Sequence, residues 1–306
     1  MNSDLSDVFV SNTKKLLAHC DKLQTFQRSG ILEPITLDIS PTNTCNNNCD
    51  FCSVKNRDQS QRLELYQAVA CTKSYLRQNI RSIEMTGGGE PTMWNPLSEY
   101  LEIFSGGNIP IGLITNGIKL HHYSFDNLWK HLRWIRISLN AMDHGWFPDF
   151  QIPKEYHGTV SFSYVWHGKS PKSILPKLEA VLSQYPRVES LKIQLDVFNS
   201  KLEYPEIVHP KIFIIEKDHM KPADRCYMGW VKPHLDADGY IYHCSTCALR
   251  DRKFPMEWRI GSWDHIPDPY PEKAKFDTRA CERCFYVDQN KLLDNIRHPP
   301  HHWEFV

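Results

Sequence analysis

Cys45, Cys49 and Cys52 stand within eight residues, in the run Thr44-Cys45-Asn46-Asn47-Asn48-Cys49-Asp50-Phe51-Cys52. Three thiolates so spaced can converge on one soft metal centre, and no fourth cysteine lies at a comparable distance. Structural zinc normally takes four protein ligands, whereas iron-sulfur clusters are held by thiolates. A cluster with one uncommitted iron therefore accounts better for the missing ligand, with zinc or unliganded thiols as the alternative. An open iron can bind a molecule that reacts.

Two further patterns carry chemistry. In Gly87-Gly88-Gly89-Glu90-Pro91 the glycines permit close backbone approach, and Glu90 sets a negative charge beside exposed amides, an arrangement suited to an ammonium group. A plain flexible turn is the alternative there. Cys226, Cys244, Cys247, Cys281 and Cys284 fall within the last 81 residues, and include two Cys-x-x-Cys pairs that could form a four-cysteine zinc site. The stretch Trp230 to Tyr242 reads as a hairpin turning at Asp238-Gly239, which returns Cys244 toward Cys226. The tail from Arg297 to Trp303 holds three histidines but two prolines and no thiol, and reads as a docked or exposed tail.

With an aromatic residue before its third cysteine, the first triplet resembles the signature of the radical S-adenosylmethionine (SAM) superfamily. The resemblance implies a four-iron, four-sulfur cluster on Cys45, Cys49 and Cys52, with SAM chelating the open iron and Phe51 among the cofactor contacts. One electron from such a cluster cleaves SAM to a 5′-deoxyadenosyl radical, which abstracts a substrate hydrogen atom. Gly88-Gly89-Glu90-Pro91 matches the family's Gly-Gly-Glu-Pro-like segment against the SAM amino group, with Gly87 in the same run. Thr115-Asn116-Gly117 resembles the turn after the family's third strand. Ser138 and Asn140 fall where the fourth strand often meets the SAM carboxylate or ribose, although many relatives carry aspartate at the place of Asn140. Tyr164, His167, Gln194 and Asp196, near the ends of the fifth and sixth strands, are candidates for substrate contact. The distal pattern resembles the twitch or SPASM type of C-terminal extension, which implies an auxiliary four-iron, four-sulfur cluster on Cys226, Cys244, Cys281 and Cys284. Cys247 departs from that pattern.

These residues need a scaffold, and the rest of the sequence describes one. Apolar runs at Ile35 to Ser40, Ser82 to Thr86, Ile111 to Thr115, Trp134 to Leu139, Val160 to Trp166 and Ser190 to Val197 read as strands. Helical stretches intervene at Gln61 to Gln78, Pro96 to Phe104, Phe125 to His131 and Ile174 to Ser183, while Met142 to Tyr156 is too broken by Gly145, Pro148 and Pro153 for a full helix. Six strands alternating with helices predict an α/β fold: a parallel, partial (β/α)6 barrel whose post-strand loops share one rim. The expected organisation is a helical lead-in over 1–33, with Leu16, Leu17, Cys20 and Leu23 on one face, a barrel over 34–220, and a small auxiliary-cluster domain over 221–306. Cys20 and Cys71 are expected to be buried packing residues.

Composition bounds the function. The 306-residue chain carries 36 Lys plus Arg and 36 Asp plus Glu, so no global basic field recruits nucleic acid. No stretch approaches the roughly 20 apolar residues of a membrane span, and ten cysteines without a signal-like N-terminus predict a reducing cytoplasm. The expected activity is oxidation or other modification of a substrate by hydrogen-atom abstraction, with the auxiliary cluster as electron acceptor and flavodoxin or ferredoxin as reducing partner. A small polar metabolite is the favoured substrate, because only about 33 residues precede the first strand; a peptide is the alternative, and a nucleic-acid-modifying role comes third. A zinc-binding or redox-sensing module is the rival of another class.

Overall fold

The computed structural model describes residues 12–170, 173–196, 199, 201–215, 222–245, 258–273, 276, 278–281, 284–299 and 301. Two helices lead in, α1 (Thr13–Leu17) and α2 (Cys20–Ser29). The chain then alternates through β1 (Thr36–Ile39), α3 (Leu65–Arg77), β2 (Ser82–Met85), α4 (Leu97–Ser105), β3 (Ile111–Thr115), β4 (Trp134–Ser138), β5 (Thr159–Trp166), α5 (Ile174–Gln184), β6 (Ser190–Leu195) and β7 (Ile212–Ile215). A short helix α6 (Met228–Val231), strands β8 (His234–Leu235), β9 (Tyr240–Tyr242) and β10 (Arg259–Ser262), and helix α7 (Val287–Arg297) follow.

The strands form one sheet in the order β10-β9-β8-β1-β2-β3-β4-β5-β6-β7. From β1 to β7 every pairing is parallel and sequential, the pattern of a βα-repeated wall. β7 is a seventh parallel strand beyond the six expected; its signal was the apolar run Ile212-Phe213-Ile214-Ile215. β8 pairs parallel with β1, and β8, β9 and β10 form an antiparallel meander. The expected hairpin is present, with Gly239 at φ 85° supplying the left-handed turn position. It extends the barrel sheet at its β1 edge.

Side chains alternate along each strand. Leu37, Ile39, Ile83, Met85, Leu113, Ile135, Ile137, Phe162, Leu191 and Ile193 are fully buried, and form one apolar core with the α3, α4 and α5 faces. The opposite positions, Thr36, Asp38, Ser82, Glu84, Arg136, Thr159, Lys192 and Gln194, turn into the barrel and line a lumen of about 830 Å³. Strands of a parallel sheet normally read as continuous apolar runs. Here the polar alternation marks a wet interior.

Three local expectations are corrected. Phe125 to His131 forms only a 3-10 turn at Trp129–His131, because side chains compete for the local backbone: Ser124 Oγ accepts from Asn127 N and the His131 ring engages Asp126 O. In the lead-in, Leu16 and Leu23 are buried, but Leu17 is 47% exposed and Cys20 is exposed. The helix breaks at Ala18 and His19, so α2 restarts with a new phase and Cys20 becomes its first, outward residue. Cys71 is fully buried as expected. A second apolar cluster joins Leu16, Leu23 and Phe26 to Tyr227, Trp230 and Leu293, so α2 and α7, far apart in sequence, pack together.

Candidate functional site

The post-strand loops meet at one rim. Cys45, Cys49 and Cys52, in the loop after β1, line a cavity of about 320 Å³ together with Phe51, Gly87, Gly88, Gly89, Ser138, Gln194 and Asp196. Each sulfur accepts a hydrogen bond: Cys45 Sγ from Asn47 N at 3.4 Å, Cys49 Sγ from Asn47 Nδ2 at 3.3 Å, and Cys52 Sγ from Arg57 Nη1 at 3.5 Å. Burial pushes the Cys49 thiol up to about 12, with the neighbouring Cys52 and Cys45 adding to it, and burial also raises Cys45. Three thiols that repel one another on ionising in a poorly hydrated pocket suit a multivalent iron centre, which removes that penalty by supplying positive charge. The donor set therefore fits a thiolate-held cluster.

The glycine run is fixed against the cysteine loop by backbone pairing. Gly89 N donates to Thr42 O and Glu90 N to Thr44 O, both at 2.8 Å. A Cβ on Gly89 would lie 2.2 Å from Thr44 O, so only glycine permits this approach. Glu90 does not line the cavity. Its carboxylate is buried and accepts from Thr92 N (3.1 Å), Thr92 Oγ1 (2.7 Å), Thr115 Oγ1 (2.5 Å) and Asn116 N (2.6 Å). Burial raises its pKa, and these four donors oppose the rise. Glu90 thus locks the end of β2 to the end of β3, with Pro91 opening the 3-10 turn behind it.

The other expected contacts divide. Asn116 Nδ2 reaches across to Asn46 Oδ1 at 2.7 Å and to Cys45 Sγ at 3.9 Å, tying the β3 turn to the cysteine loop. Ser138 lines the cavity. Asn140 is buried and its amide copies a strand partner, accepting from Val165 N at 2.7 Å and donating to Val165 O at 2.9 Å. Tyr164 and His167 are buried and meet at Asp143: Tyr164 OH donates to Asp143 Oδ1 at 2.6 Å, and His167 Nε2 stands 3.0 Å from Asp143 Oδ2. The Phe51 ring packs on the His167 imidazole with centroids 4.9 Å apart. Gln194 and Asp196 face the cavity.

Sequence reasoning missed Arg57, Asp143 and Asn47 as supports of the triplet. Arg57 lies five residues beyond Cys52 and is buried, with Nε donating to Asn43 O at 2.7 Å. It also missed the charged lumen, although period-two polarity in Thr36, Asp38 and Ser40, in Ser82, Glu84 and Thr86, and in Lys192 and Gln194 was visible.

The distal cysteines form a second constellation. The Cys226 thiol is pushed up by burial first and then by its neighbours Cys244, Cys284 and Cys281, which places all four in one field. Cys284 Sγ accepts from Tyr286 N at 3.4 Å and from Asn290 Nδ2 at 4.0 Å, and Asn290 Oδ1 accepts from Tyr227 N at 2.7 Å. One buried α7 side chain therefore braces the segments carrying Cys226 and Cys284. Among the described residues no three His, Cys, Asp or Glu side chains are gathered as closely as ligands of a single ion; a cluster, with its irons at separate corners, holds its thiolates further apart than one tetrahedral ion does. Cys247 lies outside the described residues.

The cysteine cavity and the lumen share a wall beside the distal cysteines. Ser245, next to Cys244, and Phe285, next to Cys284, line both the cysteine cavity and the barrel interior, as does Gln194. No helix among the described residues is long and apolar enough to cross a membrane.

Residues 39–166 match the family described as Radical SAM superfamily. The GTP 3′,8-cyclase of Staphylococcus epidermidis is 29% identical over 255 residues, covering 69% of this chain and 74% of that protein. The probable GTP 3′,8-cyclase of Sulfurisphaera tokodaii is 29% identical over 134 residues, covering 43% of this chain and 41% of the relative. Streptococcus suis SuiB bound to its precursor peptide SuiA shares the fold, with a TM-score of 0.55 at 13% identity over 92% of this chain and 72% of that one. The SAM-bound SuiB structure superposes with a TM-score of 0.52 at 14% identity, over 77% of this chain and 67% of SuiB. Residues 39–166 thus carry a radical SAM domain, of a superfamily whose members use a four-iron, four-sulfur cluster and SAM.

Proposed function

We propose that this chain is a radical SAM enzyme that holds its SAM-binding cluster on Cys45, Cys49 and Cys52 and modifies a substrate seated in the barrel lumen. When bound, the cluster and SAM supply a 5′-deoxyadenosyl radical by one-electron cleavage of SAM. The chain's own residues position and shelter that chemistry. The amides of Gly87 to Gly89 and the face of Phe51 form the SAM wall, Ser138 and Asn116 lie at its rim, and Glu90 fixes the spacing between the β2 and β3 loops. Asp143 holds His167 under Phe51.

Cys226, Cys244, Cys281 and Cys284 would hold an auxiliary cluster. The observation that carries this reading is the shared wall: residues adjoining Cys244 and Cys284 border both the cysteine cavity and the lumen. A substrate between the two sites can lose a hydrogen atom on one side and an electron on the other. Net oxidation of a small polar metabolite follows, with a flavodoxin or ferredoxin type of carrier as the reductant. The relatives named GTP 3′,8-cyclase make a nucleotide the first metabolite to assay.

Anaerobic reconstitution tests the proposal. About eight irons and eight sulfides per chain, four from each cluster, are expected, together with 5′-deoxyadenosine on reduction with SAM. Replacing Cys45, Cys49 and Cys52 by alanine abolishes nucleoside formation on this reading; its persistence in that variant would sink the assignment.

A further inference from the structure

We propose that Arg57 is the fixed counter-cation of the cluster on Cys45, Cys49 and Cys52, and that its charge raises the reduction potential of that cluster. This rests on the reading of the triplet as the SAM-cluster site. Arg57 is 9% exposed and lines the cysteine cavity. Its Nε donates to Asn43 O at 2.7 Å, and its Nη1 donates to Val54 O at 3.0 Å and to Cys52 Sγ at 3.5 Å. Among the described residues none of these bonds reaches a carboxylate. A guanidinium keeps its proton at any working pH, and a buried charge is ordinarily paired. The acids around the triplet are engaged elsewhere. Asp50 faces Lys55 and Lys169, and Asp58 accepts from Ser60 N and Oγ. Glu90 takes its four donors, and Asp143 takes Tyr164, His167 and Asn140 Nδ2. Glu90 acts against an ionised Cys45 and Asp143 against an ionised Cys49, whereas the Arg57 charge favours both thiolates. The thiolate triplet is the counter-charge within reach of Arg57.

The charge sets Arg57 apart from the other donors to sulfur. Asn47 gives neutral N–H bonds to Cys45 and Cys49, while Arg57 brings a full positive charge to Cys52. The carbonyls of Asn43 and Val54 pin the guanidinium, so the charge keeps its place when the cluster changes state. Three thiolates on a dicationic four-iron core leave one net negative charge, and reduction by one electron adds a second. A cation held against that unit stabilises the reduced state more than the oxidised one, and a pocket shielded from water strengthens the effect. The consequence is a cluster that a flavodoxin or ferredoxin type of carrier reduces more readily.

The test is a potentiometric titration of the anaerobically reconstituted full chain without SAM. It follows the electron paramagnetic resonance signal that added SAM perturbs in a parallel sample. In Arg57→Gln the reduced-to-oxidised ratio of that cluster at a fixed potential is expected to fall at least tenfold, a shift of about 59 mV for one electron. Arg57→Met fills the same space with no polar group and should show the same fall, which keeps the test open if the glutamine variant does not fold. Arg57→Lys retains the charge and should stay within threefold of the wild type. A ratio unchanged in the neutral variants, or a fall in Arg57→Lys as large as theirs, overturns the proposal. Calorimetric titration of the oxidised chain with SAM separates another role. An unchanged ratio with SAM binding weakened tenfold in Arg57→Gln would make Arg57 a contact for the SAM carboxylate and would also overturn the proposal. If the wild type binds iron but shows no SAM-sensitive signal, the SAM-cluster reading falls and takes this inference with it. With that signal present, only the role of Arg57 is at stake.

Discussion

Gly89→Ala probes the contact on which the cysteine loop depends. The added Cβ would lie 2.2 Å from Thr44 O and 2.5 Å from the Asn43 carbonyl carbon, where ordinary contact begins at 3.4 Å. Both obstacles are backbone, so the segments must part by roughly 1.2 Å in a closely packed interior. The bonds from Gly89 N to Thr42 O and from Glu90 N to Thr44 O, each 2.8 Å, would stretch to roughly 4 Å, outside hydrogen-bond range. Two backbone hydrogen bonds at about 1 kcal/mol each and an overpacking cost of about 1–3 kcal/mol set the loss at about 3–5 kcal/mol. The displacement falls on Thr44, whose neighbour is Cys45. Urea denaturation under anaerobic, reducing conditions reads the stability term, and iron per chain after reconstitution reads the effect on the triplet. The variant is expected to unfold at lower urea and to retain about half the wild-type iron, that of the distal site. Gly106→Ala is the control: it meets nothing within 4 Å at φ −65°, and its midpoint should be unchanged. A Gly89→Ala chain with the wild-type midpoint and full iron content would refute the argument.

The remaining predictions concern other parts of the site. Cys281→Ala should halve the iron and sulfide content while SAM cleavage by the first cluster persists, read by metal analysis and nucleoside chromatography. Asp143→Asn sets an amide donor against Tyr164 OH and His167, costing about 1–3 kcal/mol and raising the KM for SAM through the loosened Phe51 face; an unchanged melting temperature and KM would contradict this. His234, held between Asp38 and Asp236, has its pKa raised to about 9, although burial alone would lower it. Its folded pKa exceeds the unfolded value of about 6.5, so its contribution is complete below pH 6.5 and disappears as pH rises to about 9. That contribution is on the order of 3 kcal/mol, and urea midpoints of the wild type should fall across this window while those of His234→Gln stay flatter.

Much of the site was legible because its determinants are local. Cys45, Cys49 and Cys52 are close in sequence, so no fold is needed to bring them together, and Gly87 to Gly89 marks a close approach by composition alone. The positions of β1 to β6 followed from apolar alternation, and the Asp238-Gly239 turn from its dipeptide. The failures were local. Phase was lost in the lead-in, where a two-residue break between α1 and α2 turned Leu17 and Cys20 outward; a helical wheel cannot register such a break. The tertiary structure adds what no motif carried, that Glu90 accepts from Thr92, Thr115 and Asn116 and that Asn140 accepts from the Val165 backbone.

The sequence by itself pointed to a thiolate-held cluster with an open iron, because thiolate count, softness and spacing are properties of a short segment. It also determined the βα repeat that places the loops on one rim. Only the tertiary structure decided that β8 joins the barrel at β1, that Asn290 braces the Cys226 and Cys284 segments, and that residues adjoining Cys244 and Cys284 border both the cysteine cavity and the charged lumen. These relations join residues separated by tens to hundreds of positions, and they exist only once strand order and register fix which side chains point inward.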